Sequence, residues 1–402
     1  MGTDIISDLA KKTDTKILYL IMDGLGDIPA DGHDTPLAEA HTPNMDRLAR
    51  EGTLGLCDPI APGITPGSGP AHLSLFGYDP VENNVGRGLL SAFGLDFDLE
   101  PGDLAMRGNF CTIDDDGNVA DRRAGRISDE ENKKACKLIL DNIEMPDNIK
   151  LFLKTESEHR VLVVLRGDGL AEEVEETDPQ AAGVPPNPPR ALTSEAKKSE
   201  RVLTSMLDQI KKILKDNHPA NFVLLRGYSN PLELPTFKDR YKLDALAIAE
   251  YPMYRGLAKL VGMKTLPAYK DFEDGISQLK KFWDDYDFFF FHVKKTDSYG
   301  EDGNFENKKK MIEEVDKGIV PAVIKLNPDV LVITCDHSTP WSLKAHSWHP
   351  VPVLFKSRHD RPDECKVFTE AECLKGSMGR HPSTDIMPLA LAHAGKLEKF
   401  GA

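Results

Sequence analysis

The stretch Lys16-Ile-Leu-Tyr-Leu-Ile-Met-Asp23-Gly24 decides how this chain is read. It is short, apolar and rich in branched side chains, and it ends in Asp-Gly. That is a buried strand whose carboxyl end delivers an aspartate into a loop. Outward from it comes Thr42-Pro43-Asn44-Met-Asp-Arg-Leu-Ala-Arg-Glu-Gly52. Thr42 can cap a helix, Pro43 suits its first position and Gly52 can end it. Strand, loop and helix in that order make an α/β unit.

The same pattern returns late in the chain. Residues Ile276 to Trp283 read as helix and Tyr286 to Val293 as strand. Asn307 to Leu326 reads as one long helix. Asp329 to Thr334 is another buried strand, ending at Asp336-His337. Val351 to Phe355 is a further strand and Thr384 to Ala394 a closing helix. The polar residues that could do chemistry therefore cluster at strand ends, where open α/β sheets bind ligands. The middle differs. It holds the Pro-rich run Val184 to Pro189, acidic runs, the strand Val161 to Leu165 and an amphipathic helix over Val202 to Leu214. The expected organisation is a discontinuous catalytic domain, residues 1–100 and 222–402, interrupted by a cap domain at 101–221.

Composition narrows the class. The chain has 402 residues, 40% of them hydrophobic, enough for a sizeable core. A net charge of -15 repels nucleic acid and anionic membrane. No apolar run approaches the roughly 20 residues of a membrane span, and Met1 to Lys16 has no signal-peptide core. The six cysteines form no Cys-x-x-Cys pair, which argues against a disulfide scaffold or a thiolate zinc finger. The expectation is a soluble cytoplasmic protein with reduced thiols, its oligomeric state open.

Four strand-end pieces carry metal-ligating groups: Asp23; Ser68 in Gly67-Ser-Gly-Pro-Ala-His72; Asp297 with Glu301; and Asp336-His337 followed by His346. Carboxylates and imidazoles without thiolate suit manganese, zinc or magnesium. The set is large enough for two ions, the arrangement that clamps both oxygens of an in-line phosphoryl transfer. Glycines around Ser68 allow close backbone approach to a phosphate, and a helix beginning near Ala71 would favour an anion. Each piece also has a plain reading: a glycine turn, a structural Asp-His pair, or an i,i+4 surface pair for Asp297 and Glu301. The glycine-punctuated run after the strand makes 296–303 look like a ligand loop.

An acidic protein that binds an anion must gather arginines, whose planar forks match carboxylate and phosphate. Arg122, Arg123, Arg126 and Arg166 are candidates. Arg160 stands out because it follows His159 and opens an apolar strand. Arg226 closes one, and Arg255 is a further candidate. Asp178 of Thr177-Asp-Pro179 is a partner able to orient a hydroxyl.

Several segments together resemble a known family. They are Ile21-Met-Asp-Gly-Leu-Gly-Asp27, Thr35-Pro-Leu-Ala-Glu-Ala, Thr42-Pro-Asn-Met-Asp-Arg-Leu, Pro66-Gly-Ser with Ala71-His-Leu, Phe76-Gly-Tyr-Asp-Pro80, Gly86-Arg-Gly88, His292-Val-Lys-Lys-Thr-Asp297, Asp336-His337 and Lys399-Phe-Gly-Ala402. From about residue 16 to the end, the chain resembles the archaeal-type, cofactor-independent (2,3-bisphosphoglycerate-independent) phosphoglycerate mutases of the alkaline phosphatase superfamily.

The resemblance implies an α/β fold: an alkaline-phosphatase-like core sheet flanked by helices, with an inserted α+β cap. It implies interconversion of 3-phosphoglycerate and 2-phosphoglycerate, a step of glycolysis and gluconeogenesis, without 2,3-bisphosphoglycerate. Ser68 would be transiently phosphorylated, with His72 organising its turn. Two divalent ions are implied, manganese first, with magnesium or zinc as alternatives. Asp23, Ser68, Asp336 and His337 would hold one; Asp297, residue 301 and His346 the other. His159, Arg160, Asp178, Arg226 and Arg255 are expected to bind substrate. The family usually has His where this chain has Glu301, which keeps a ligating oxygen, and Gly69-Pro70 stands where relatives often have Asp-Thr. The alternatives are a metal-dependent phosphatase, a phosphotransferase on another small hydroxy compound (homoserine-kinase-like), and a catalytically silent metal-binding relative.

Overall fold

Ile17–Met22 are buried without exception, and this strand lies inside a large sheet. A strand covered on both faces has no reason to alternate polar with apolar residues, hence the unbroken apolar run. The computed structural model describes residues 4–83, 85–146 and 148–401; Ala402 of the C-terminal motif lies outside them. The strands in chain order are β1 (Ile17–Met22), β2 (Thr53–Asp58), β3 (Asp103–Ile113), β4 (Val119–Asp121), β5 (Lys150–Ser157), β6 (Arg160–Arg166), β7 (Phe222–Ser229), β8 (Ala245–Ala249), β9 (Lys264–Thr265), β10 (Phe288–Val293), β11 (Val330–Thr334), β12 (Val351–Ser357) and β13 (Gly379–Pro382).

The chain divides into two compact units, Met1–Asn84 with Leu234–Ala402, and Val85–Glu233. The first is a mixed α/β unit around an eight-stranded sheet in the order β13-β2-β12-β11-β1-β10-β8-β9. β10, β8 and β11 run parallel to their neighbours around β1, whereas β12 runs antiparallel to both β11 and β2. Register decides where chemistry can occur. Met22 is paired with Val293 and Ile21 with Thr334. Asp23, Lys294 and Asp336 therefore emerge side by side at one edge of the sheet. Phe288, Phe289, Phe290 and Phe291 are fully buried behind that edge. Each contributes roughly 1.5–3 kcal/mol of burial, so the strand ends rest on a stiff base.

Two local expectations change. The helix expected over Asn307 to Leu326 is two helices, Phe305–Gly318 and Val320–Leu326. Pro321 has no N–H to donate and fits only a first turn, so the second helix starts there. The run read as a ligand loop is mostly the helix Lys295–Glu301. Its glycines did not prevent helix, because Gly300 packs where a Cβ would lie 2.4 Å from the Thr339 carbonyl oxygen. Asp297 and Glu301 thus share one helix face.

The second unit is built on the sheet β4-β3-β6-β5, with β7 on the other side of β3. The helix Asp129–Asn142 begins with a reciprocal capping box between Ser128 and Glu131. The helix Lys197–Ile213 buries Val202, Leu203, Met206, Leu207 and Ile210 at helical spacing. Among the described residues, no helix is long and apolar enough to cross a membrane.

Candidate metal centre and arginine pocket

The end of β1 delivers Asp23 into a fully buried cluster. Asp336, two residues past β11, lies beside it and accepts from the Gly24 N–H at 3.2 Å. The His337 ring stands between them. Its Nε2 is 3.1 Å from Asp336 Oδ2, 3.4 Å from Asp23 Oδ1 and 3.3 Å from Ser68 Oγ. Its Nδ1 is 3.0 Å from Thr339 Oγ1. Thr339 in turn donates to Asp297 Oδ1 at 2.6 Å. His346 stacks on His337 with ring centres 3.6 Å apart, and its Nε2 lies 3.7 Å from Asp297 Oδ1.

Ser68 is the first residue of the helix Ser68–Leu75, preceded by the extended Gly67. Its hydroxyl and the free N–H groups of that first turn share one end of the helix. His72 Nδ1 donates to the Ser68 carbonyl at 2.8 Å and lies 3.3 Å from Asp336 Oδ2. One buried imidazole thus ties the serine turn to the strand-end carboxylate.

Electrostatics separate the two central carboxyls. Burial, and then the neighbouring Asp336 carboxylate, push Asp23 far above the usual range. Burial also acts against Asp336, but His337 and His72 outweigh it and hold Asp336 well below that range. Burial opposes protonation of His337, yet Asp336 and then Asp23 raise it to about 9. Asp297 lies low, since Lys294 and His337 overcome the cost of its burial. Burial lowers His72.

Two groups of ligand atoms could hold an ion: Asp23, Asp336 and His337, and Asp297, His337 and His346. Within each group the atoms lie within 4.8 Å of one another. His337 belongs to both. Asp23 Oδ1 and Asp336 Oδ2 are buried, and the groups facing them are the His337 and His72 rings at 3.1–3.4 Å. Buried carboxylates clustered with imidazole nitrogens are costly unless positive charge meets them, so these residues fit hard divalent ions bound by oxygen and imidazole. Glu301 stands apart from both groups. Its carboxylate is 54% exposed, and Oε1 is 3.9 Å from His346 Nε2.

The structure adds residues that sequence reasoning did not single out. Lys294 Nζ is 3.1 Å from Asp23 Oδ2 and donates to Asp297 Oδ2 at 2.5 Å. The Tyr254 hydroxyl donates to Asp23 Oδ2, and His292 stacks on Tyr254 at 3.9 Å. Lys294 follows β10 directly, so the strand-end rule that found Asp23 could have found it. Tyr254 comes from the distant helix Pro252–Leu260 and has no such signal.

A second cluster lies wholly in the second unit. Arg87, Arg107, Asn109, Arg122, Arg123, His159, Arg160 and Arg226 line a cavity of about 120 Å³. Sheet register assembles it. Arg107 and Asn109 are i and i+2 on β3, hence on one face. Arg107 is paired with Arg226 of β7, and Asn109 with Arg160 of β6. Arg122 forks onto Asp178 at 2.9 and 2.7 Å, and Arg226 approaches the same carboxylate at 3.6 Å. Burial raises Asp178, but the Arg122 fork prevails and holds it low.

Of the expected substrate residues, His159, Arg160, Asp178 and Arg226 come together here. Arg255 lies on Pro252–Leu260 in the first unit and donates to the Glu250 carbonyl. Arg126 faces Glu158, and Arg166 is held by Asp103 and Glu100.

A family model described as 2,3-bisphosphoglycerate-independent phosphoglycerate mutase matches residues 49–221. A protein of Thermosipho africanus named "Probable 2,3-bisphosphoglycerate-independent phosphoglycerate mutase" is 50% identical over 398 residues, 99% of this chain and 98% of that one. A solved Pyrococcus horikoshii protein is 32% identical with a TM-score of 0.79, covering 97% of this chain and 100% of its own. A structure described as cofactor-independent phosphoglycerate mutase from Thermoplasma acidophilum is 27% identical with a TM-score of 0.73, covering 94% and 100%.

Proposed function

This chain belongs to the family of 2,3-bisphosphoglycerate-independent phosphoglycerate mutases, which are isomerases, and from that membership we propose that it interconverts 3-phosphoglycerate and 2-phosphoglycerate through a phosphoserine at Ser68. The observation that carries the mechanism is Ser68 Oγ at 3.3 Å from His337 Nε2, beside the buried Asp23 and Asp336 carboxylates. A serine at a helix N-terminus facing cation-ready ligands is built to take a phosphoryl group.

Asp23, Asp336 and His337 with Ser68 would hold one divalent ion, and Asp297, His346 and Glu301 the other, with manganese as the first choice. Bound there, the ions would lower the pKa of the serine hydroxyl and offset phosphoryl charge. Ser68 Oγ loses its proton as it bonds phosphorus, and the C3 ester oxygen takes a proton as its P–O bond breaks. The N–H groups opening Ser68–Leu75 receive the phosphoryl oxygens. His72 keeps that turn against Asp336, and the Lys294 ammonium holds Asp23 and Asp297 in place. In the second half the C2 hydroxyl of glycerate attacks phosphorus and Ser68 regains its proton. No water is consumed, so glycerate must stay held between the halves. We assign that task to the second unit, through Arg160, Arg226, His159 and Asp178, and place the enzyme in the cytoplasm.

Phosphorus NMR of the manganese-loaded protein with 3-phosphoglycerate and no bisphosphoglycerate tests this. The expected result is a growing 2-phosphoglycerate signal without inorganic phosphate. Phosphate alone would make the protein a hydrolase, and an unchanged spectrum would overturn the reading.

A further inference from the structure

His337 offers two ring nitrogens, and both groups of ion ligands include it. A side chain that belongs to neither group decides between them. Thr339, two residues further on, is fully buried. Its hydroxyl donates to Asp297 Oδ1 at 2.6 Å and lies 3.0 Å from His337 Nδ1. A hydroxyl has one hydrogen, and a carboxylate can only accept. The Thr339 hydrogen is therefore spent on Asp297, and the second contact closes only if His337 Nδ1 carries a proton and donates. In a neutral ring that leaves the lone pair on Nε2. Nε2 is the nitrogen that faces Asp23, Asp336 and Ser68 at 3.1–3.4 Å. His337 is thereby committed to the first group, and its Nδ1 is closed to the second.

The hydroxyl cannot drift, because the backbone that carries it is clamped. The Thr339 N–H donates to the Gly26 carbonyl at 3.0 Å. The Thr339 carbonyl accepts at 2.9 Å from Lys308, a fully buried lysine. The same ammonium reaches Asp27 Oδ2 at 2.7 Å and the Gly26 carbonyl at 3.4 Å. Three protons meet three acceptors, so a charge that is costly to bury is matched here in full. Lys308 thus ties the loop after β1 to the loop after β11. Close packing completes the clamp. Gly24 has φ +60°, and a Cβ there would lie 2.5 Å from Thr339 Oγ1. A Cβ at Gly300 would lie 2.9 Å from the Thr339 methyl.

We propose that Thr339 is a positioning residue for both ions. Its one hydroxyl fixes the His337 tautomer for the first ion and the Asp297 carboxylate for the second, and Lys308 holds Thr339 in place. That these groups hold ions rests on the mutase reading; the coupling of the two sites through one hydroxyl goes beyond it.

Two substitutions in the full chain separate this role from packing. Thr339→Val keeps the methyl and loses the hydroxyl, whereas Thr339→Ser keeps the hydroxyl and loses the methyl. In calorimetry with manganese, Thr339→Val should bind both ions about 10- to 100-fold more weakly, and Thr339→Ser should bind them as wild type does. Wild-type binding by Thr339→Val, a larger loss in Thr339→Ser, or a loss confined to one ion would each overturn the proposal. Nitrogen NMR of the zinc-loaded, histidine-labelled wild type decides the matter even if Thr339→Val fails to fold. His337, assigned by comparison with His337→Gln, should carry its proton on Nδ1, and a bare Nδ1 would overturn the proposal. Turnover of manganese-loaded wild type is read in parallel. Turnover with unaltered ion binding in Thr339→Val sinks this inference alone. Weakened ion binding in that variant, with no turnover by wild type, sinks the mutase reading alone. A wild type that binds no manganese sinks both.

Discussion

Ser68 has two neighbours that define what its loss should do: His337 at its hydroxyl and His72 at its carbonyl. Ser68→Ala removes only the first contact. It should abolish turnover and leave melting and most metal binding intact, and wild-type rates in that variant would end the phosphoserine mechanism. Glu301 is a harder case, because its carboxylate stands 3.9 Å from His346 and half in solvent. Glu301→Gln should weaken one ion of the two by 10-fold or more; full stoichiometry at limiting manganese would show that it is no ligand. Glu370 offers a pH test away from the metal ligands. It accepts from the Thr35 hydroxyl at 2.6 Å and from the Asp27 N–H at 3.2 Å. Burial pushes its carboxyl up to about 7 from 4.5, against the Thr35 hydrogen bond. An acid raised on folding contributes stability that is whole below pH 4.5 and lost as pH rises through about 7. The shift sets an upper bound of about 3 kcal/mol, less for a residue that keeps some solvent contact. Wild type should therefore lose stability relative to Glu370→Gln between pH 4.5 and 8, and a pH-independent difference in unfolding free energy would refute this.

At the scale of elements, the strands were more legible than their partners. β1 and β11 read correctly because burial on both faces leaves an unmistakable apolar run, and Asp23 and Asp336 follow from where such runs stop. The helix of 295–301 was hidden by Tyr299-Gly300, since local propensity cannot register that Gly300 is there to admit the Thr339 carbonyl. Arg107 was missed for a related reason. Nothing local to β3 says that Arg226 and Arg160 will lie beside it, because register between strands more than fifty residues apart is a property of the sheet. Helix ends are more predictable. Ser128 accepts from the Glu131 N–H, and Glu131 accepts from the Ser128 N–H at 2.8 Å. Ser128→Ala should cost about 1 kcal/mol in urea unfolding, and no measurable loss would mean that the first turn contributes nothing to the second unit.

At the scale of the molecule, the chain carries -15 overall, yet Val85–Glu233 holds a cavity lined by six arginines. The proposed division of labour predicts two separate footprints in hydrogen exchange. Manganese alone should slow exchange at residues following β1, β10 and β11, and leave the second unit unchanged. Substrate added to the manganese-loaded protein should in addition protect β3, β6 and β7. A common footprint for both would refute the division. The pairing of Arg107 with Arg226 and of Asn109 with Arg160 also carries a consequence for descent. Slipping β3 by one residue would turn both side chains to the opposite face, so an insertion or deletion within that strand erases recognition at a stroke. Relatives that bind other ligands should therefore differ by substitution at these positions, or by length changes in the segments carrying Arg87 and Arg122–Arg123, with the length of β3 kept.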